Sequence, residues 1–358
     1  MALTLLTGFP GFLGTRLVRR LLADDPEQRV AALVEGRMAQ RAQEVAASID
    51  AGRIEVIPAD IGERDLGLTP ETYERLAAEV TVLFHLAAIY DLAVPIELAQ
   101  RVNVEGTGNV LEFCHACERL DRHNYVSTAY VAGKRTGVVY EHELVMGQDF
   151  KNHYESTKFQ AETWVRDRMH EVPTTIYRPA IVVGDSRTGE TQKFDGPYYL
   201  LRVLSAMGDR PLAQIGRAGA PFNVVPVDFV IDALVAGAQD PAAVGATLHL
   251  VDPDPVTAHQ VGDLFAELYA GRAPRFRVPA KLVQESLRSA AVRKAFGGSP
   301  RESIVYLNHP VRFDTRQASD LLARHGVRCP RFGEYAPAIV DFYKAHEDDP
   351  AFDPQAGR

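Results

Sequence analysis

The sequence predicts an α/β fold built on a doubly wound parallel sheet, with a smaller, mostly C-terminal lobe. Three observations carry that expectation. A strand-like run, Leu3–Leu6, leads into Thr7-Gly8-Phe9-Pro10-Gly11-Phe12-Leu13-Gly14 and then an amphipathic helical stretch, Thr15–Ala23. Apolar runs followed by helical patterns recur at Arg29–Val34, Ile54–Pro58, Val80–Leu86, Asn124–Val126 and Thr174–Ile176, the alternation that closes into a parallel sheet. Tyr154 and Lys158 stand four positions apart in a helical run, a spacing that puts both on one face.

Composition bounds the function. With 358 residues, 46% hydrophobic and 24% charged, the chain can bury a substantial core. A net charge of -8 argues against general nucleic-acid binding, which needs a basic surface. No apolar run approaches the ~18–20 residues of a membrane span. Met1–Thr7 lacks a basic leader and reads as a strand, not a signal peptide. The three cysteines, Cys114, Cys117 and Cys329, suit a reducing compartment, so a cytoplasmic location is expected. Cys114 and Cys117 have a metal-like spacing but lie inside the helical run Asn109–Leu120 without a second ligand pair. They read as packing thiols, and no metal is expected.

Glycines at 8, 11 and 14 between a strand and a helix permit a tight turn, close approach of the backbone to a pyrophosphate, and close helix–strand packing. The helix then offers free N–H groups and a partial positive charge to phosphates. The end of the second strand should read the adenosine ribose. Glu35 could accept from a 2′-hydroxyl, favouring NAD(H), whereas Arg37, with Arg41, could pair with a 2′-phosphate, favouring NADP(H). The balance leans slightly to NADP(H). Asp60, before Ile61, could accept from the adenine amino group or cap the segment after it. Ala87 and Ala88 allow the backbone to lie along a cofactor, and His85 beside them reads as a satisfied near-core histidine. Ser127-Thr128 closes the fifth strand, where hydroxyls face the cleft of a parallel sheet. A phenol one turn from an ammonium is a proton-transfer pair, with the lysine's charge drawing the tyrosine's pKa down.

Taken together, Thr-Gly-x-x-Gly-x-x-Gly at 7–14, Ser127-Thr128, Tyr154-x-x-x-Lys158 and Arg178-Pro179 resemble an extended short-chain dehydrogenase/reductase with a Rossmann domain, over the first ~250 residues. Asn103-Val-Glu-Gly-Thr107, Val126-Ser-Thr-Ala-Tyr130, the run His153–Glu162 and Phe222–Asp228 are similar to its male-sterility and thioester-reductase-like branch. That branch includes fatty acyl-CoA reductases, carboxylic acid reductase domains and the domains that release carrier-protein thioesters. The resemblance implies Tyr154 as general acid, Lys158 as the group that lowers its pKa and holds the nicotinamide ribose, and Thr128 as the hydroxyl on the substrate oxygen. It implies cofactor contacts from Thr7, Gly8, Gly11, Phe12, Leu13, Gly14, Glu35, Arg37, Asp60, Ile61, Ala87, Ala88, Asn103 and Ser127, with Arg178, Pro179 and Ile181 beside the nicotinamide. Two positions depart from the branch: Thr157 stands where serine is usual, and Glu35 where reductases often carry arginine.

Residues 1–184 and 226–251 are expected to form the cofactor domain, and 185–225 with 252–358 the substrate lobe. Tyr198, Tyr199 and Phe222 could line the cleft or fill the lobe core. Between Arg272 and Lys294 stand seven basic residues and one acid, Glu285, and Ala280–Phe296 has helical periodicity. The segment reads as a solvated lobe helix or as a dock for coenzyme A phosphates, an acidic carrier protein or a membrane surface. The expected activity is NAD(P)H-dependent reduction of an acyl thioester or its aldehyde. A ketone, hydroxysteroid-like or sugar-nucleotide substrate would use the same residues, and a nucleotide-sensing regulator without chemistry is the third reading. A homodimer through the helices at 103–120 and 154–169 is implied by the resemblance alone.

Overall fold

Seven parallel strands form the centre of the computed structural model, which describes residues 3–90, 94–208, 219–274 and 309–353 and short pieces between 210 and 308. In chain order the first half runs β1 (Leu3–Thr7), α1 (Phe12–Asp24), β2 (Arg29–Val34), α2 (Ala39–Ile49), β3 (Ile54–Pro58), α3 (Pro70–Glu79), β4 (Val80–His85), α4 (Ile96–Ala99), α5 (Gly106–Ala116) and β5 (Arg122–Val126). Then follow β6 (Gly137–Val139), α6 (His153–Arg168), β7 (Thr174–Pro179), β8 (Ile181–Val183), α7 (Tyr198–Met207), β9 (Ala213–Ile215), β10 (Val224–Pro226), α8 (Val227–Gln239) and β11 (Thr247–Leu250). The chain closes with α9 (Ala258–Ala270), β12 (Phe276–Val278), β13 (Val311–Phe313), α10 (Arg316–Ala323) and α11 (Phe332–His346).

The main sheet has the order β11-β7-β5-β4-β1-β2-β3, and all its ladders are parallel. This is the doubly wound architecture expected from the sequence. The winding reverses between β1 and β4, so the crevice beyond their C-terminal ends is where such a sheet binds ligand. Side-chain alternation divides the core by face. Leu6 joins Leu17, Val18, Val230 and Leu234 under α1 and α8, whereas Leu3 and Leu5 join Leu76, Val110 and Phe113 under α3 and α5.

A separate cluster, with Tyr198, Phe222, Phe265, Phe332 and Tyr335 at its centre, builds the lobe from α7, α9 and α11. The division differs in one respect from the sequence reading. Val311, Phe313, Leu321 and Leu322 pack into the core of the main sheet, because β13 pairs with β6 and Glu141 fastens α10 beside the sheet edge. The Glu141 carboxylate, 2% exposed, accepts from the backbone of Gln317, Ala318 and His249. The helical expectation at 280–296 falls almost entirely outside the described residues.

Candidate active site

Each glycine of the first turn has its own steric reason. Gly8 sits at φ +93°, and a Cβ there would meet the Ala87 nitrogen at 2.9 Å; on Gly11 or Gly14 it would lie 2.7 or 2.5 Å from the Gly8 carbonyl. Gly11 caps α1 without a side chain, and no acidic residue stands in the first turn. The resulting cradle leaves backbone N–H groups and the positive helix end facing the crevice, the chemistry a pyrophosphate requires. Phe12 and Leu13 on that turn are half-buried.

Thr7 and His85 lock the cradle to β4. The Thr7 hydroxyl accepts from the nitrogens of Leu86 and Ala87 at 3.2 and 3.1 Å and so donates to His85 Nδ1 at 2.7 Å. Thr107 donates to the Asn103 carbonyl, leaving its oxygen to accept from His85 Nε2 at 3.0 Å. These partners require the neutral imidazole with its proton on Nε2. Burial, then the charge of Lys158, pushes its pKa well below the usual histidine value. His85 is a satisfied core histidine, and the Thr7 side chain is spent within the protein.

Glu35 and Arg37, the residues expected to read a ribose, occupy an exposed tip beyond β2, where Arg37 Nε pairs with Glu35 at 2.8 Å. Asp60 accepts from the Gly62 nitrogen and from Arg101 at 2.6 Å. The Ile61 carbonyl accepts from Asn109. Asn103 stands in a π-helical stretch, Gln100–Glu105, a local widening that often marks functional sites. Its amide donates to the Ile89 carbonyl and to Thr157 at 3.0 Å, and its oxygen accepts from the Ile89 nitrogen. Thr157 also donates back to the His153 carbonyl. The unusual threonine therefore braces the loop after β4 against the start of α6.

Thr128, Tyr154 and Lys158 converge at the end of β5. The Thr128 hydroxyl accepts from the Tyr130 nitrogen and donates to the Pro179 carbonyl at 3.4 Å, and it acts on the Tyr154 phenol as a neighbour. Lys158, 2% exposed, donates to the Val126 carbonyl at 2.9 Å and lies 4.4 Å above the Tyr125 ring. The electrostatics differ from the simple picture of an ammonium acidifying a phenol. Burial raises Tyr154 to about 12; the neighbouring Thr128 hydroxyl opposes this and the charge of Glu155 adds to it. Burial likewise lowers Lys158 to about 7, against the pull of Glu162.

Glu162 is the residue the sequence reading left without a role. It continues the four-residue stripe of Tyr154 and Lys158, a spacing that could have exposed it. Its carboxylate accepts from Ser127 Oγ at 2.6 Å, Arg178 Nη2 at 2.6 Å and Arg166 Nε at 3.1 Å. Burial pushes this carboxyl up, but Arg178 above all outweighs it and holds the pKa below the ordinary glutamate value. The Arg178 side chain, fully buried, also reaches the Glu143 carbonyl and His249 Nε2. Its guanidinium is spent on these partners, so of the Arg178-Pro179 pair the arginine side chain is not available to a nicotinamide; Ile181, beyond Pro179, is half-buried. Ser127 faces Glu162 while Thr128 faces Tyr154, as alternation along a strand requires.

On the lobe side, Tyr198 is 2% and Phe222 3% exposed, and Tyr198 accepts from the Gly184 nitrogen. Both are lobe core; Tyr199 is half-buried. Of the basic segment, Arg288 pairs with Glu285 at 2.7 Å and Arg272 reaches the Gly208 carbonyl. Arg275, Lys281, Arg293 and Lys294 lie outside the described residues.

The family model described as male sterility protein matches residues 6–234. A linear gramicidin synthase of Brevibacillus parabrevis is 27% identical, over 95% of this chain and 7% of that protein. Aldehyde reductase lnaA of Aspergillus flavus is 29% identical over 70% and 25% respectively. Putative fatty acyl-CoA reductase CG8306 of Drosophila melanogaster is 24% identical over 64% and 53%. The chain thus spans a quarter or less of the length of the first two. Among solved structures, the terminal R domain of the myxalamid PKS-NRPS pathway superposes with a TM-score of 0.82 at 26% identity, covering 97% of this chain and 92% of that one. The R domain of a nonribosomal peptide synthetase from Mycobacterium tuberculosis shares the fold, with a TM-score of 0.73 at 23% identity and the same coverage.

Removing Glu162 should be far costlier than replacing its whole ion pair. Glu162→Ala strands a buried guanidinium and is expected to lower unfolding free energy by about 3–5 kcal/mol, whereas Glu162→Met with Arg178→Met should recover much of the loss. Urea unfolding of the three proteins measures both.

Proposed function

The chain belongs to the male sterility protein family of NAD-binding domains, and from that premise we propose that it is an NAD(P)H-dependent reductase of acyl thioesters or the aldehydes derived from them. The observation that carries this reading is the convergence of Thr128, Tyr154 and Lys158 beside the glycine cradle. The thioester, held on coenzyme A or on a carrier protein, is supported by relatives named as a fatty acyl-CoA reductase and as peptide-synthetase R domains.

The residues present fit a dinucleotide. Gly8, Gly11 and Gly14 admit no Cβ because backbone lies against each of them, and the free N–H groups that open α1 after this tight turn would hold a pyrophosphate. The Glu35–Arg37 tip would receive the adenosine ribose, the Asp60–Ile61 backbone the adenine, Ala87-Ala88 the middle of the molecule, and Lys158, Pro179 and Ile181 the nicotinamide riboside. When bound, the cofactor supplies a hydride. NADP(H) is the preferred form in this reading, with Arg37 exchanging Glu35 for a 2′-phosphate.

The chain's own residues handle the oxygen. Thr128, turning its proton from the Pro179 carbonyl, donates a hydrogen bond to the substrate carbonyl and stabilises negative charge as it develops. Tyr154 then gives its proton to that oxygen. A phenol raised to about 12 is fully protonated near neutral pH, the state an acid must hold. Lys158 stabilises the phenolate left behind. Carbon gains hydride and oxygen gains a proton; the resulting hemithioacetal loses thiol as its C–S bond breaks, leaving an aldehyde. The basic stretch 272–294 is assigned to the anionic carrier, coenzyme A or acyl carrier protein. A cytoplasmic homodimer assembled through α5 and α6 completes the reading.

Cofactor oxidation at 340 nm with an acyl-CoA, the matching free aldehyde and a ketone panel tests the assignment. Turnover of the thioester with NADPH ahead of NADH is expected; turnover confined to ketones would contradict the thioester, and an NADH preference would reverse the cofactor choice.

The pH profile tests Lys158 separately. A buried lysine near 7 carries its charge below that pH, so kcat/KM should fall as pH rises through about 7. In Lys158→Arg the fall should leave the range from about pH 6 to 9, because guanidinium stays charged. A fall at the same pH in both proteins would assign it to another group.

A further inference from the structure

The Lys158 ammonium rests on a ring that the mechanism leaves unused. Its Nζ lies 4.4 Å from the centroid of Tyr125, the residue before Val126, whose carbonyl accepts from it at 2.9 Å. Tyr125 is fully buried, and its place is fixed from several sides. In β5 it pairs with His85 of β4 and with Ile176 of β7. Its side chain packs with Leu111 of α5 and with Ala161 and Val165 of α6, the helix that carries Lys158. The His85 ring stands beside it, with centroids 5.7 Å apart and planes inclined by 31°. The Tyr125 hydroxyl is buried with no hydrogen-bond partner among the described residues. A buried hydroxyl left unpaired costs stability, so hydrogen bonding does not account for this residue; its ring does.

A buried ammonium needs compensation for the water it has lost. Lys158 is 2% exposed. The carboxylate that acts on it, Glu162, gives its oxygens to Ser127, Arg166 and Arg178. An aromatic face supplies a further attraction: the ring quadrupole draws a cation, most strongly where water is excluded. It does so without a carboxylate in contact that would cancel the charge. We propose that Tyr125 is a positioning residue for Lys158, its ring face standing in for a counter-ion, so that the lysine stays cationic and keeps donors for the nicotinamide ribose and the phenolate. This deepens the reading of Lys158 as the group that stabilises the phenolate, and rests on it.

The titratable groups around this point leave the ring's part distinct. From β4, His85 is held neutral by burial and then by the charge of Lys158 itself. From β5, His123, whose ring lies 6.3 Å from that of Tyr125, is lowered to about 3 by burial and is neutral as well. From α6, Tyr154 is protonated at neutral pH. Glu162 carries charge and pulls on Lys158, but Arg178 of β7 and Arg166 share its field. Burial works against the ammonium and lowers it to about 7. The ring works for it, so a lysine deprived of the ring's field gives up its proton at a lower pH.

Fluorinating the ring while keeping its shape reads this directly, without substrate. In the full chain, Tyr125→Phe is compared with proteins carrying 3,5-difluorophenylalanine or 3,4,5-trifluorophenylalanine at position 125. Lysine labelled with carbon-13 at Cε is followed by NMR against pH, and the Lys158 signal is assigned by its loss in Lys158→Arg. Tyr125→Phe, which keeps the ring's field, should leave the midpoint in place. The trifluorinated ring should lower it by roughly one pH unit, and the difluorinated ring by an intermediate amount. A change in packing alone would not grade with the charge on the ring face. Midpoints unchanged through the fluorinated series, or a drop already complete in Tyr125→Phe, would overturn the proposal. If the trifluorinated protein does not fold, the difluorinated one decides the matter by the same reading. Turnover by Lys158→Met run alongside separates the two claims. Retained activity there removes the lysine's role and this proposal together, whereas lost activity with unmoved midpoints removes this proposal alone.

Discussion

The site depends on one buried carboxylate. Glu162 receives Ser127 from β5, Arg178 from β7 and Arg166 from its own helix, so the helix bearing Tyr154 and Lys158 is fixed to the strand that presents Thr128. Each partner alone would be costly to bury; together they satisfy one another in a low-dielectric interior where hydrogen-bonded charges are strongest. The consequence is geometric. A phenol, a hydroxyl and an ammonium drawn from two distant segments are brought to the end of β5.

The glycine cradle supplies the second constraint. Close approach of Gly8 to the Ala87 nitrogen, and of Gly11 and Gly14 to the Gly8 carbonyl, brings β1, β4 and α1 nearer than any side chain permits. Thr7 and His85 hold that approach from beneath with a set of hydrogen bonds that admits only a neutral imidazole. Burial then does the electrostatic tuning, raising the phenol and lowering the lysine by the same desolvation. Charges nearby, Glu155 on one and Glu162 on the other, modulate what burial begins.

The features legible in the sequence were local ones. Strand–glycine–helix punctuation and the four-residue spacing of Tyr154 and Lys158 are encoded within a dozen residues, and both emerged at the expected places on a parallel sheet. What was hidden depends on distant partners. Nothing near Arg178 in sequence indicates that Glu162 takes up its side chain, or that Asn103 and Asp60 spend theirs on Thr157 and Arg101. The burial of Tyr198 and Phe222 in the lobe core follows from packing among α7, α9 and α11, which periodicity alone could not assign. Residues 311–322 joined the core of the main sheet because Glu141, 176 positions before Gln317, accepts the free N–H groups of α10's first turn.

Proton donation by Tyr154 is the step on which the proposed chemistry turns. Single-turnover oxidation of NADPH by Tyr154→Phe, with an acyl thioester and with the matching aldehyde, measures it most directly. Loss of the hydride-transfer rate by about 10²–10⁴-fold for both substrates, with NADPH affinity unchanged, is the predicted result. A rate within about threefold of the parent for either substrate, less than any positioned acid contributes, would contradict it.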